Sequence, residues 1–257
     1  MNATRFRIAT PRGLSQNLLL GALITILIGR TGQADTGTIV GGSLLLSPTN
    51  LGQLETWLGE GPLTLSNIFT KTLGDGKTAM DFHASANGRG RTFTIMEVLA
   101  SQGNTRQTIG GYDPQSWDSS STYHITMNDP QRTGFIFNLT ASDVRHQKTS
   151  LDPLSANGQY QTYNSPSYGP TYGGGHDIYI QSDLSAGYAN QYTYGSGATP
   201  GALNIVGRTG LSSLDYGTLE VFTIGPYVAP SVPEPASIVL LGIGALTLLR
   251  RGEATAV

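Results

Sequence analysis

Between residues 92 and 225 the sequence is a series of short apolar segments separated by clusters of Gly, Asn, Asp and Pro, and this punctuation limits the fold more than any other feature. Segments of about six residues are short for helices and match strands joined by turns. They read TFTIMEVL (92–99), TIGGYDPQSW (108–117), STYHITM (121–127), GFIFNLT (134–140), HDIYIQ (176–181), NQYTYG (190–195) and TLEVFTIG (218–225). The first is apolar on both faces at Phe93, Ile95, Met96, Val98 and Leu99, as a central strand is. In the fourth, Phe135, Phe137 and Leu139 alternate with polar or edge positions, and in the fifth Ile178 and Ile180 point inward.

Helical signals come before these strands. Ser47 can cap a helix, Pro48 suits its first turn, Leu51, Leu54, Trp57 and Leu58 share one face, and Gly59 ends it. TLSNIFTKT (64–72) is a second short helix candidate with Leu65, Ile68 and Phe69 inward. The sum is a mainly β fold with a few helices: a two-sheet antiparallel β-sandwich with helices packed at one side.

Both ends of the chain carry processing signals. Arg5, Arg7 and Arg12 precede an apolar stretch at 18–28, and small Gly32 and Ala34 stand at the −3 and −1 positions of a cut between Ala34 and Asp35. Residues 1–34 thus read as a signal peptide and N-terminal signal helix, with an uncleaved anchor as the alternative. At the other end, 236–249 is almost wholly apolar but shorter than the roughly 20 residues of a relaxed membrane span. Arg250 and Arg251 follow and favour the cytoplasmic side. Val232, Pro233, Glu234 and Pro235 precede it as an extended, accessible segment. A buried core helix or a permanent anchor are the other readings of this tail.

The order of tetrad, apolar run and paired arginine resembles the PEP-CTERM sorting signal. That resemblance implies an exported bacterial protein recognised by an exosortase, with a C-terminal transmembrane helix that holds it to the inner membrane until processing. Signal peptidase is then the partner at the N-terminus. Cell surface or exopolysaccharide matrix is the implied destination.

Removal of both signals leaves about 200 residues, enough for one ordinary core. The sequence has no cysteine, so an exported domain of this kind depends on packing rather than disulfides, and thiol catalysis and thiolate metal sites are excluded. From residue 35 to residue 235 nine lysines and arginines face sixteen carboxylates, a net of −7. That sign argues against nucleic acid as a partner.

Within this body, one stretch has a strand, a turn, Gly110, Gly111, Tyr112 and Trp117, and then the Phe135, Phe137, Leu139 strand. A second has Gly173, Gly174 and Gly175 before Ile178 and Ile180, and closes on Leu219, Glu220 and Val221. In this order the motifs resemble the TLDc domain, with Trp57 near that domain's opening tryptophan. The resemblance covers nearly the whole mature chain and implies a β-sandwich with no agreed catalytic residues. Lys71 to Arg91 and the Gly-rich 192–201 depart from it in length and composition. The expected organisation is a signal peptide (1–34), a linker (35–46), a TLDc-like domain (47–226), a Pro-rich linker with the tetrad (227–235) and a sorting helix with basic tail (236–257).

Catalytic chemistry has few footholds along the chain. GDGKT (74–78) lacks the first glycine of a phosphate loop, because Lys71 stands there, and reads as a turn. His83, His124, His146 and His176 have no helical metal spacing, and no G-x-S-x-G is present. Asp81 with His83 and His176 with Asp177 could relay protons if the fold joined them. Glu97, Asp113, Asp129, Asp143, Asp177, Asp183 and Glu220 are scattered, mostly at turns. Glu220, on an otherwise apolar strand, reads as a buried hydrogen-bonded carboxylate. Asn138 opens an N-L-T sequon inside a strand. No catalytic residue, metal or cofactor is expected.

The tyrosine-rich 160–175 is the candidate ligand surface, with Tyr160, Tyr163, Tyr168 and Tyr172 offering flat amphipathic faces. An ordinary loop covering the core edge is the other reading. The expected function is a non-enzymatic binding or structural role at the cell surface or in a polysaccharide matrix. A secreted hydrolase of matrix polysaccharide is the alternative.

Overall fold

The computed structural model describes residues 37–195 and 202–227. Among these, two helices and eleven strands follow in chain order. They are β1 (Thr38–Val40), α1 (Pro48–Leu58), β2 (Leu63–Lys71), α2 (Ala79–Ala86), β3 (Thr92–Val98), β4 (Gln107–Asp113) and β5 (Tyr123–Ile125). After them come β6 (Phe135–Asn138), β7 (Asp143–His146), β8 (Tyr160–Tyr163), β9 (Ile178–Ile180), β10 (Ala186–Ala189) and β11 (Ser212–Pro226). A central sheet runs β1-β2-β11-β3-β4-β6-β7, and β5 and β8 form a separate two-stranded ladder. Every pairing is antiparallel except β1 with β2. The result is a mainly β, sandwich-like architecture with one parallel edge.

Strand alternation divides the core in two. Phe93, Ile95, Phe135, Phe137 and Phe222 face α1, which adds Leu51 and Leu54. Met96, Val98, Ile136, Leu219 and Val221 face the opposite layer, which holds Phe82 of α2, Trp117, Tyr172, Ile178 and Ile180. Strand β11 joins the layers: its first residues pair with β10 and its last with β2 and β3. The pairing with β3 shifts between Tyr216 and Leu219, so the strand bends there from one sheet into the other.

Helix α1 starts and stops where the sequence places it. Ser47 Oγ accepts from the Asn50 N–H at 3.2 Å, Pro48 fills the first turn, and Gly59 ends the helix at φ 76°. Residues 64–72, expected as a second helix, are strand β2 instead. Leu65, Ile68 and Phe69 have helical spacing for another reason: Phe69 pairs with Val221 but Asn67 with Phe222, which leaves Ile68 as an extra residue. This bulge reverses the face, so Leu63 and Leu65 join the α1 side while Phe69 joins the other.

The second helix is α2, within the Gly-rich passage. The Asp81 carboxylate accepts from the Thr78 N–H and hydroxyl at 2.8 and 2.9 Å, which caps it. Segment 190–195 is not a strand either; β10 lies before it, and Tyr194 makes a single bridge to Gln147. Thr38–Val40, inside the stretch read as linker, is an edge strand on β2. The signal and sorting residues Ala34, Asp35, Val232, Pro233, Glu234, Pro235, Arg250 and Arg251 lie outside the described residues, as do 196–201. Among the described residues no helix is long and apolar enough to cross a membrane.

Without disulfides, carboxylates tie backbone segments together. Glu220 is fully buried and accepts from the Leu44 N–H (2.8 Å), the Leu45 N–H (3.2 Å), the Ser43 hydroxyl (2.5 Å) and the Asn67 amide (3.4 Å). Glu55 of α1 accepts from Gly37 and Leu63 N–H groups at 2.9 and 2.8 Å. Such charge-assisted bonds satisfy backbone N–H groups of the 37–45 segment and of Leu63 at the start of β2.

The motif residues have packing roles. A Cβ on Gly110 would lie 2.5 Å from the Phe137 ring, and one on Gly111 2.4 Å from the Tyr172 ring. Trp117 is fully buried, donates to Thr92 Oγ1 at 2.9 Å and meets Phe82 and Tyr172 edge-on. Trp57 is half-buried, 5.8 Å from Phe137.

Candidate functional site

The tyrosines of 160–175 do not act alike. Tyr172 is fully buried, with its hydroxyl on the Gly111 carbonyl (3.0 Å) and beside Thr94 Oγ1. It bridges the two layers under Trp117, so its place in a ligand surface is corrected to the core. Tyr160, Tyr163 and Tyr168 are half-buried and face outward.

These three belong to a larger aromatic face that the topology assembles. Tyr163 of β8 lies directly opposite Tyr123 of β5, with rings 4.7 Å apart. Tyr160 adjoins Tyr123 at 5.1 Å. Tyr179 of β9 lies opposite Tyr188 of β10, with rings 4.8 Å apart. Tyr168 connects the two pairs, 5.8 Å from Tyr163 and 4.8 Å from Tyr179. His176 sits among them, stacked on Tyr179 at 5.7 Å and within 5.5 Å of Tyr163. Tyr192, 39% exposed, borders the glycine triplet.

The glycine triplet sets this arrangement. A Cβ on Gly174 would enter the Tyr160 side chain at 2.8 Å, and one on Gly175 would meet the Tyr192 ring at 2.8 Å, so both tyrosines lie against bare backbone. Gly175 also takes φ 80°, and His176 follows at φ 65°, a left-handed value uncommon for a side-chain-bearing residue. The tight turn lifts the imidazole into the aromatic face. Burial there pushes its pKa below the usual 6.5, which favours the neutral ring.

Asp177 anchors the turn from below. It is fully buried, and its carboxylate accepts from the N–H groups of Tyr192 (2.8 Å), Thr193 (2.8 Å) and Tyr194 (3.1 Å). Lys148, also buried, donates through Nζ to the Tyr192 carbonyl at 2.5 Å. Burial raises the Asp177 pKa to about 6, against the three N–H bonds and Lys148, which pull it down. Gly173 leaves room for this carboxylate, since a Cβ there would lie 2.0 Å from Asp177 Oδ2.

The other candidate groups are engaged elsewhere. His83 contacts Asn87 Oδ1 and the carbonyls of Ser165 (2.8 Å) and Tyr168 (3.2 Å), tying α2 to the Tyr168 turn. Asp81 caps α2, and His124 pairs with Asp118 at 3.0 Å. His146 is exposed at the end of β7, 5.4 Å from Phe135. Asp75 in GDGKT accepts from the Thr72 and Lys77 N–H groups, as a turn aspartate does. Asn138 is buried on Gln107 and the Ile205 carbonyl, which makes its sequon inaccessible. Asp113 is fully buried; one oxygen accepts from Gln115 and Gln161, the other has no partner, and burial raises its pKa to about 7. Among the described residues no cluster of His, Cys, Asp or Glu could hold a metal.

Tyr123, Tyr179, Tyr188 and Tyr192 escape a reading of the loop alone. Tyr179 between inward Ile178 and Ile180 already carries the signal of an outward position. Its pairing with Tyr188 depends on register.

Comparison with known families matches the TLDc domain to residues 39–225 and the PEP-CTERM protein-sorting motif to residues 231–252. No curated protein matches the chain.

Proposed function

The chain belongs to the TLDc domain family, and we propose that it works outside the cell as a non-catalytic binding module for matrix polysaccharide. The sorting motif implies processing by exosortase and export to the surface or extracellular space. The finer steps belong to the proposal: removal of 1–34 by signal peptidase, brief inner-membrane anchoring through 236–249, and a final place in the matrix.

The observation that carries the binding role is the continuous half-buried face of Tyr160, Tyr123, Tyr163, Tyr168, Tyr179 and Tyr188 around His176. Phenol rings give apolar stacking area and hydroxyl hydrogen bonds with little side-chain entropy to lose, which suits sugar rings. Binding is favoured over hydrolysis because Asp177, the carboxylate beside His176, has both oxygens on backbone N–H groups. The test is co-sedimentation of the protein with matrix polysaccharide from its host, together with an assay for new reducing ends. Retention without new ends supports the proposal. New reducing ends support the hydrolase, and absence of retention removes the matrix role.

A further inference from the structure

Resting on that reading, we infer that the aromatic face selects polymers of amino sugars carrying free ammonium groups over neutral or acidic polysaccharides. Among the described residues the surroundings of the face offer an anion no unpaired lysine or arginine. Nine lysines and arginines lie between the two signals, and each is engaged with a carboxylate or a backbone carbonyl. Lys77, Arg91, Arg106, Arg132 and Arg145 are paired with carboxylates. Lys71, Arg89 and Arg208 donate to backbone carbonyls of Gly217, Ser85 and Gln102. Lys148 is buried on the Tyr192 carbonyl behind the face. Burial of His176, the imidazole among the rings, disfavours its charged form. An acidic sugar would therefore meet no unpaired lysine or arginine among the described residues.

A cation would meet two favourable fields. Residues 35–235 carry a formal net of −7, which concentrates cations near the surface. Six phenol rings also present electron-rich faces and edges with hydroxyls, and an ammonium near a tyrosine face is attracted by the ring quadrupole. Among the described residues the internal cation–π contact is Lys77 over Phe69, on β2, so no side chain of the protein takes that role on the tyrosine face. Ring centroids 4.7–5.8 Å apart along the run from Tyr160 to Tyr188 repeat this environment, as a polymer with a charge on every unit requires. A sugar backbone is preferred to a basic peptide because the same rings offer stacking area and hydroxyl partners for pyranose units.

The experiment measures affinity of the protein recovered from its host for soluble oligomers of equal length. These are glucosamine oligomers, their fully N-acetylated counterparts, uronic acid oligomers and oligolysine, at pH 6 and at low and high salt. The expected result is glucosamine oligomers binding about tenfold or more tighter than the N-acetylated ones, with affinity falling as salt rises. Tyr163→Leu with Tyr179→Leu should abolish the preference, and Tyr163→Phe with Tyr179→Phe should keep most of it. Shifts of tyrosine ring resonances in the unmodified protein locate the contact even if the leucine variant fails to fold. Equal binding of amine and N-acetyl oligomers, or tighter binding of uronates, overturns the charge preference and leaves the polysaccharide role intact. Oligolysine binding as tightly as glucosamine oligomers overturns it in favour of a basic protein partner. No binding by any sugar overturns both readings, and ring resonances that stay unmoved overturn the site.

Discussion

Replacing Glu220 by Gln tests whether buried carboxylates hold this disulfide-free domain together. The side chain keeps its shape, so the change is confined to hydrogen bonding. Glu220 Oε1 serves the Leu44 N–H and Asn67, while Oε2 serves the Ser43 hydroxyl and the Leu45 N–H. A glutamine keeps one acceptor oxygen and turns a donor NH2 toward the other pair. If the oxygen stays on Leu44, the NH2 faces the Ser43 hydroxyl, which already accepts from the Leu45 and Leu46 N–H groups at 3.1 and 2.8 Å, and the Leu45 N–H keeps only that hydroxyl. Loss of the charge-assisted bonds to the Ser43 hydroxyl and the half-buried Leu45 N–H, with the latter still held by Ser43 Oγ, costs about 1.5–3 kcal/mol. For a domain of this size that lowers Tm by about 2–4 °C per kcal/mol. Urea and thermal unfolding at pH 7 measure it, with Ser43→Ala as a companion that removes the hydroxyl's bond to Glu220 and the bonds it accepts from the Leu45 and Leu46 N–H groups. A Glu220→Gln loss below about 0.5 kcal/mol, within the range of ordinary surface changes, would refute the reasoning.

Three further outcomes follow from the same structure. Gly111→Ala drives a methyl into the Tyr172 ring at 2.4 Å and should cost about 1–3 kcal/mol of overpacking in urea unfolding, while Gly52→Ala in helix α1, which meets nothing within 4 Å, should be neutral or stabilising. Asp113 has a folded pKa of about 7 against an ordinary 3.8, so the folded state holds the proton more tightly and stability falls as pH rises from about 4 to 7. Asp113→Asn should flatten that slope and raise stability at pH 8 relative to the parent, by about 1.4 kcal/mol for each pH unit across which the slope disappears; the Asp177 slope, ending near pH 6, should remain. Deleting residues 231–252 should leave the protein outside the fraction that the intact chain reaches, as cell fractionation and intact-mass analysis will show.

How much was legible in the sequence depended on how local the cause was. Helix α1 could be read from Ser47 to Gly59 because its cap, its proline and its apolar stripe are all local. Strands β3, β4, β6 and β9 were visible from alternation and turns. Strand β2 was misread because a bulge at Ile68 places apolar residues at helical spacing, and a bulge exists only against a partner strand. Helix α2 lay hidden among glycines, although its Thr78–Asp81 capping pair was a local sign. Half of the aromatic face was legible as Tyr160, Tyr163 and Tyr168. Tyr123 and Tyr188 join it through strand register, and Tyr172 leaves it because Gly111 opens a slot in β4 for its ring. Glu220 was readable as a buried carboxylate, but its clients at 43–45 were not, being some 175 residues away in sequence.

The central claim is that an exported TLDc domain holds matrix polysaccharide through its tyrosine face. The direct measurement compares retention on matrix from the host for the parent protein and for Tyr163→Leu with Tyr179→Leu, each checked for an unchanged Tm and circular dichroism spectrum. Retention by the parent and its loss in the folded variant is the predicted result. Equal retention of the two would contradict the account by placing the contact elsewhere on the molecule.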